Sequence, residues 1–253
     1  MMFHFWNRRT ALRSTLPTLL TIAAALLVAG DLAAQEVETV KPIDLEGYVV
    51  DEDRQPVVGA FVALVGEDWG SLSDEDGYFK ISDIYPGQIS LTVEQVGYDH
   101  MEWRGEIRAD EPVSLTLVGQ PEVLQKLSEL LDRFRNRRSQ AARPVRFFDR
   151  EDMATSSART ALRFLDGPGG IARIRCAGAF TSECISVGGQ ALLPVVWVDE
   201  GRVIGGLDYL GNMEPHELYM VEVFSSGRHI RAYTTFFIER AAKADFKPLS
   251  IVF

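Results

Sequence analysis

Between residues 43 and 118 the sequence repeats one pattern, a short run in which every second residue is apolar followed by a cluster of turn formers. Segments 45–50, 60–65, 78–81, 89–93 and 113–117 carry the alternation. Asp51-Glu52-Asp53-Arg54-Gln55-Pro56, Ser73-Asp74-Glu75-Asp76-Gly77 and Pro86-Gly87 separate the first runs. A period of two puts successive side chains on opposite faces, so each run can bury one face. With no helical period between them, such runs pair with one another and pack face to face as an antiparallel sandwich or barrel. Asp76-Gly77 supplies the positive φ of a tight hairpin, and Pro86-Gly87 fits a type II turn.

The order of features is more specific than the alternation. Gly47-x-Val49-x-Asp51, Pro56-Val57-x-Gly59-Ala60-x-Val62, Ser73-Asp74-Glu75-Asp76-Gly77-x-Phe79-x-Ile81, Ile84-x-Pro86-Gly87, Leu91-x-Val93 and Gly97-Tyr98 follow one another in this segment. The set resembles the carboxypeptidase regulatory-like domain. That resemblance implies a transthyretin-like, seven-stranded antiparallel β-sandwich over 43–118 with an accessory role. The zinc carboxypeptidases that give the family its name need a His-x-x-Glu pair. None of His100, His216 and His229 is followed by Glu three residues later.

The chain starts differently. Arg8, Arg9 and Arg13 occur without an acid in the first 15 residues, residues 16–30 are almost wholly apolar, and Ala33-Ala34 follows. This is the three-part pattern of a secretory signal peptide, expected to be removed after Ala34. An apolar run of 15 residues falls short of the roughly 20 needed to span a hydrocarbon core. Glu36-Val37-Glu38-Thr39-Val40 reads as a leader into the sandwich. It also resembles the acidic-valine segment that an energising partner of outer-membrane receptors pairs with by strand addition.

The formal charge of −10 divides unevenly. Residues 43–118 hold 17 acids and 4 bases, whereas residues 119–253 hold 16 acids and 18 bases. The acidic balance argues against wrapping nucleic acid, whose phosphates need Lys and Arg. Near Gly119 the two halves meet. Pro121 opens a segment with Val123, Leu124, Leu127, Leu130, Leu131 and Phe134 at three-and-four spacing, the mark of an amphipathic linking helix over 121–141. Arg133, Arg135, Arg137 and Arg138 suit its C-terminal dipole and are expected to end it as a solvated tip.

Past the connector, helical and strand signals mix. Residues 149–165 read as a loop and one helix, capped by Asp152 or Thr155, with Ala158, Ala161, Leu162 and Leu165 on one face. Residues 171–175 and 183–187 are strand-like, and 192–199 (LLPVVWVD) reads as one buried strand. Pro215 with its flanking acids marks a short helix before a strand over 219–224, and 228–240 reads as a β-rich stretch. Ala161-Leu162-Arg163 with Pro168-Gly169-Gly170-Ile171, Pro194-Val195-Val196-x-Val198-Asp199-Glu200-Gly201, and Pro215-x-Glu217-Leu218-x-x-Val221-Glu222-Val223 with Gly227 occur in this order. The series resembles the plug domain of TonB-dependent outer-membrane receptors, which implies a plug-like α+β domain over 145–253. The usual tyrosine-glycine turn and glycine-valine-isoleucine strand are missing. The 13 residues after Arg240 hold no barrel of about 22 strands, so transport is not expected of these residues alone. The fold class is thus mainly β with an α+β second half.

Few residues suggest chemistry. Cys176 and Cys184 bracket a seven-residue polar loop, as a hairpin-closing disulfide would in an exported protein. A reactive thiol or a metal pair is the alternative. Asp74-Glu75-Asp76-Gly77 offers oxygens to calcium but lacks the remaining ligands and the bidentate Glu of an EF-hand loop, and turn sterics select the same residues. No nucleophile elbow, P-loop, dinucleotide fingerprint or His-Glu-x-x-His helix occurs. No catalytic residue, metal ligand or cofactor site is assigned, and no cofactor is expected. The expected function is that of a noncatalytic, exported cell-envelope binding protein, periplasmic or peripheral to the outer membrane, which engages an envelope protein or small ligand. A small metal-dependent hydrolase using His216 and Glu217 is the competing expectation.

Overall fold

The computed structural model describes residues 41–250 except 68, 168–169 and 177–181. The proposed signal peptide and the acidic-valine segment lie outside the described residues. The described residues form one compact unit.

Seven strands build the first half: β1 (Ile43–Val50), β2 (Phe61–Leu64), β3 (Gly70–Leu72), β4 (Tyr78–Ile84), β5 (Gly87–Glu94), β6 (Met101–Ile107) and β7 (Val113–Thr116). They form two sheets, β4-β1-β7 and β3-β2-β5-β6. Leu45, Val49, Phe79, Ile81 and Leu115 of the first pack on Val62, Leu91, Val93 and Ile107 of the second. Two details differ from expectation. The β1–β7 pair is parallel, the others antiparallel, and the Asp76-Gly77 turn carries the chain from one sheet to the other. Strand β1 buries Leu45, Gly47 and Val49. At Gly47 a Cβ would stand 2.7 Å from the Phe79 ring and 2.3 Å from the Val113 carbonyl oxygen, so only glycine lets that ring fill the centre of the sandwich.

Helix α1 (Pro121–Ser139) starts with Pro in its first turn, as the sequence reading placed it. It buries Leu127, Leu130 and Phe134 against Met220, Tyr233, Ile238 and Ala241 of the second half and reaches Val96 of the first. The expected solvated basic tip is not what forms. Arg133 bonds Asp245 and the Phe246 carbonyl, Arg137 and Arg138 both reach Glu222, and only Arg135 stays on the surface with Asp132. The acids that attract these bases lie 60 or more residues along the chain, where helix periodicity cannot register them.

The second half is layered about a five-stranded sheet of order β13-β12-β15-β14-β8. Its strands are β8 (Val145–Phe148), β12 (Val195–Val198), β13 (Gly201–Arg202), β14 (Leu218–Phe224) and β15 (His229–Thr234). Strands β12 and β15 run parallel. One face meets α1 and the C-terminal helix α5 (Thr235–Lys243). The other, through Val221, Val223, Ile230 and Ala232, packs on helix α3 (Ala161–Asp166), helix α4 (Leu207–Leu210) and Ile185. Ile185 belongs to a small sheet of β9 (Arg173–Arg175), β10 (Glu183–Val187) and β11 (Gln190–Leu192).

Three local readings are corrected. Residues 149–165 hold two short helices, α2 (Arg150–Ala154) capped by Asp149 and α3 capped by Thr160. Each cap satisfies backbone N–H groups that one continuous helix would have bonded internally. Residues 192–199 break at Leu193-Pro194, so β11 and β12 fall in different sheets. Proline has no N–H to give a ladder, and Leu193 is 55% exposed. The stretch 228–240 is strand only as far as Thr234, whose hydroxyl accepts the Phe237 N–H and starts α5.

Candidate functional site

The two halves meet around Arg150, the first residue of α2. Asp149 and Asp152 cap the start of that helix reciprocally and fix where Arg150 enters. Its side chain, 4% exposed, donates from Nε to the Gly59 carbonyl of the sandwich. From Nη1 it donates to the carbonyls of His216 (3.1 Å) and Leu218 (3.2 Å) and to Thr235 Oγ1 (2.7 Å). Burial in this dry setting lowers the guanidinium pKa to about 10. Gly59, at φ 69°, lies against the Arg150 stem, where a Cβ would stand 2.5 Å from the Arg150 Cβ. The close approach therefore needs a glycine for space as well as for backbone conformation.

Beside this lock, the His216 imidazole stacks on Phe61 of β2 with centroids 3.9 Å apart and planes 7° from parallel. Its Nδ1 lies 3.3 Å from Glu214 Oε2. His216 occupies a 3-10 turn, Pro215–Glu217, in which the Glu214 N–H donates to Glu217 Oε2 at 2.6 Å. The ring forms a ridge between two clefts. One, of about 500 Å³, is lined by Trp69, Ser71, Met153, Arg159, Glu214 and His216. The other, of about 450 Å³, includes Phe61, Glu67, Glu94, Asn212 and Glu217. Trp69 is 43% exposed and donates its indole N–H to Glu67. Along the first cleft lies β3, an edge strand of its sheet. An indole face, a guanidinium and a strand edge together suit recognition of an extended segment.

The residues singled out from sequence are placed as follows. His216 and Glu217 both reach the junction, where the Glu217 carboxylate is held by its own turn. Among the described residues no group of three or more His, Cys, Asp or Glu is arranged to hold a metal. Asp74 Oδ1 accepts the N–H groups of Asp76 (3.0 Å) and Tyr78 (2.9 Å), which shapes the turn. Cys176 and Cys184 are disulfide-bonded with Cα atoms 5.2 Å apart, joining the end of β9 to β10. Two features had escaped the sequence reading. One is Arg150. The other is a buried ion network on the α1 face of the large sheet, in which Arg137 contacts Glu200, Glu222 and the Tyr233 hydroxyl while Arg231 pairs with Glu200. Burial raises the pKa values of Glu222 and Tyr233. An arginine-glutamate network of this kind leaves no local pattern, because its members come from α1, the β12–β13 turn and the two central strands.

Residues 45–128 match the family model described as a CarboxypepD_reg-like domain. Over 204 residues the chain is 24% identical to a TonB-dependent receptor of Formosa agariphila, an alignment covering 75% of this chain and 18% of that protein. The chain therefore spans less than a fifth of that relative's length. Among solved structures, a type II cohesin–X-dockerin complex from Acetivibrio cellulolyticus is 20% identical over 30% of this chain and 58% of its own, with a TM-score of 0.27. The TIE protein of Bacillus anthracis is 19% identical over 31% of this chain and 16% of its own, with a TM-score of 0.26. Residues 45–128 carry a carboxypeptidase regulatory-like domain, and over three-quarters of its length the chain is weakly similar to a TonB-dependent receptor.

Proposed function

We propose that this protein is a noncatalytic binding unit of the cell envelope, exported by residues 1–34, in which the regulatory-like sandwich and a plug-like second half present one surface to a partner. The observation that carries this reading is the length of the similarity to a receptor. At 204 residues and 75% of this chain it is longer than either half, so it takes in at least part of each. The lock at Arg150 supports it, because a buried guanidinium holding carbonyls from both halves ties them together beside the cleft that Trp69 and Arg159 line. Among the described residues no helix is long and apolar enough to cross a membrane, in keeping with a unit that is periplasmic or peripheral to the outer membrane.

The test is capture from envelope extract with the tagged protein, alongside membrane fractionation and sequencing of its N-terminus. A retained envelope protein, lost on Trp69→Ala with Arg159→Glu, and a new N-terminus near Gln35 are the expected results. No retained partner together with a positive hydrolase screen, abolished by His216→Ala, would reject the proposal.

A further inference from the structure

Strand β3 has a partner strand on one side only. It pairs with β2, and the sheet ends there. In that ladder the Ser73 N–H donates to the Ala60 carbonyl, so by antiparallel alternation Ser71 bonds towards β2 while Leu72 turns its own N–H and C=O away from it. The cleft of about 500 Å³ is lined by Trp69, Gly70, Ser71 and Leu72 in succession. Successive side chains of a strand point to opposite faces, so a cleft that touches all four runs along the edge and not over one face. Its opposite wall is formed after the start of α2, from Met153 to Arg159, a run made mostly of alanine and serine that leaves room for another backbone. Arg159 ends this wall, exposed and paired with no acid among the described residues. Glu214, the acid of the cleft, already lies against His216.

We infer that this cleft takes an extended segment of a partner polypeptide, added as a strand to the free edge of β3, with one carboxylate side chain of the segment on Arg159. This rests on the reading of the protein as a binding unit and names the chemistry of its partner. An edge strand offers N–H and C=O groups at the spacing of a β-ladder, which selects an extended backbone whatever its sequence. Side chains then choose among such segments. The exposed Trp69 ring presents an apolar face, and the Arg159 guanidinium is a planar fork that fits a carboxylate. A basic segment would bring a second cation to that fork. The sandwich, with 17 acids against 4 bases, repels a run of acids, so the segment that fits carries a single carboxylate among apolar and β-branched residues.

The probe is a library of linear heptapeptides displayed on phage and panned on the whole protein, with the enriched sequences then synthesised with blocked ends. These are expected to hold one acid among β-forming residues. In NMR titrations their binding should slow hydrogen exchange at the Leu72 N–H, and methylating alternate backbone nitrogens of the peptide should abolish it. Replacing the peptide's acid by its amide, or Arg159→Gln in the protein, should each weaken binding about tenfold. The two changes together should cost no more than either, because both remove the same pair. Arg163→Gln, at another exposed arginine, should bind as the native protein does. Enrichment of basic peptides, binding that survives backbone methylation, or a library from which nothing is enriched overturns the inference. Capture from envelope extract keeps the two readings apart. A partner retained by a protein whose cleft selects no peptide upholds the binding unit and removes its peptide site, whereas selected peptides without a retained partner do the reverse.

Discussion

Arg150 holds together parts of the chain that lie 91 residues apart, and it does so without a carboxylate. Its charge is met by three carbonyl oxygens and one hydroxyl, so removing it strands buried acceptors from both halves. Arg150→Ala is expected to cost about 3 kcal/mol in urea denaturation, the order expected when several buried acceptors lose their donor. Arg150→Lys should recover only part of this, because an ammonium cannot span the same fan of acceptors. His229 makes a different prediction. Its folded pKa lies below the ordinary 6.5, so the unfolded chain takes up the proton first as pH falls through 6.5. Stability from this group is present above that pH and declines below it until the folded ring also titrates. A thermal midpoint that falls more steeply below pH 6.5 in the native protein than in His229→Gln would bear this out, and parallel curves would refute it.

At the scale of elements, what could be read in advance was what neighbouring residues decide. The alternation over 89–93 and the Pro121 start of α1 depend on spacing and on one residue's geometry, and both appear in the fold. The missed strands β3 and β6 show why others did not. Gly70-Ser71-Leu72 is too short to carry a period, and β6 alternates charged with partly buried residues, as an edge strand does, so its apolar face is muted. The split of 192–199 turned on a single proline whose effect depends on which sheet each side joins. In the candidate site His216 was visible as a residue type, but its stacking on Phe61 and the role of Arg150 depend on contacts between distant segments. The Cys176–Cys184 bridge was legible because its partners are close in sequence. Cys176→Ser with Cys184→Ser should lower unfolding free energy by about 2–3 kcal/mol, the chain entropy of so short a loop, measured under non-reducing conditions. An unchanged denaturation midpoint would show that the bridge does not constrain the unfolded chain.

For the molecule as a whole, the unequal charges of the two halves suggest parts that could act separately, but their packing ties them together. Phe61 and Leu72 of the sandwich join the hydrophobic cluster of the second half, and Val96 joins the cluster under α1. Calorimetry is therefore expected to show one unfolding transition in which calorimetric and van't Hoff enthalpies agree. Two resolved peaks in the native protein would contradict this, whereas Arg150→Ala should bring the halves closer to separate melting. The same lock bears on how the chain is made. The sandwich pairs its strands within residues that are made before the second half, and its Gly59 carbonyl then waits for a guanidinium synthesised 91 residues later. That guanidinium in turn needs His216, Leu218 and Thr235 before its other acceptors exist. The buried seam between the two halves thus cannot close until the chain has been made as far as Thr235.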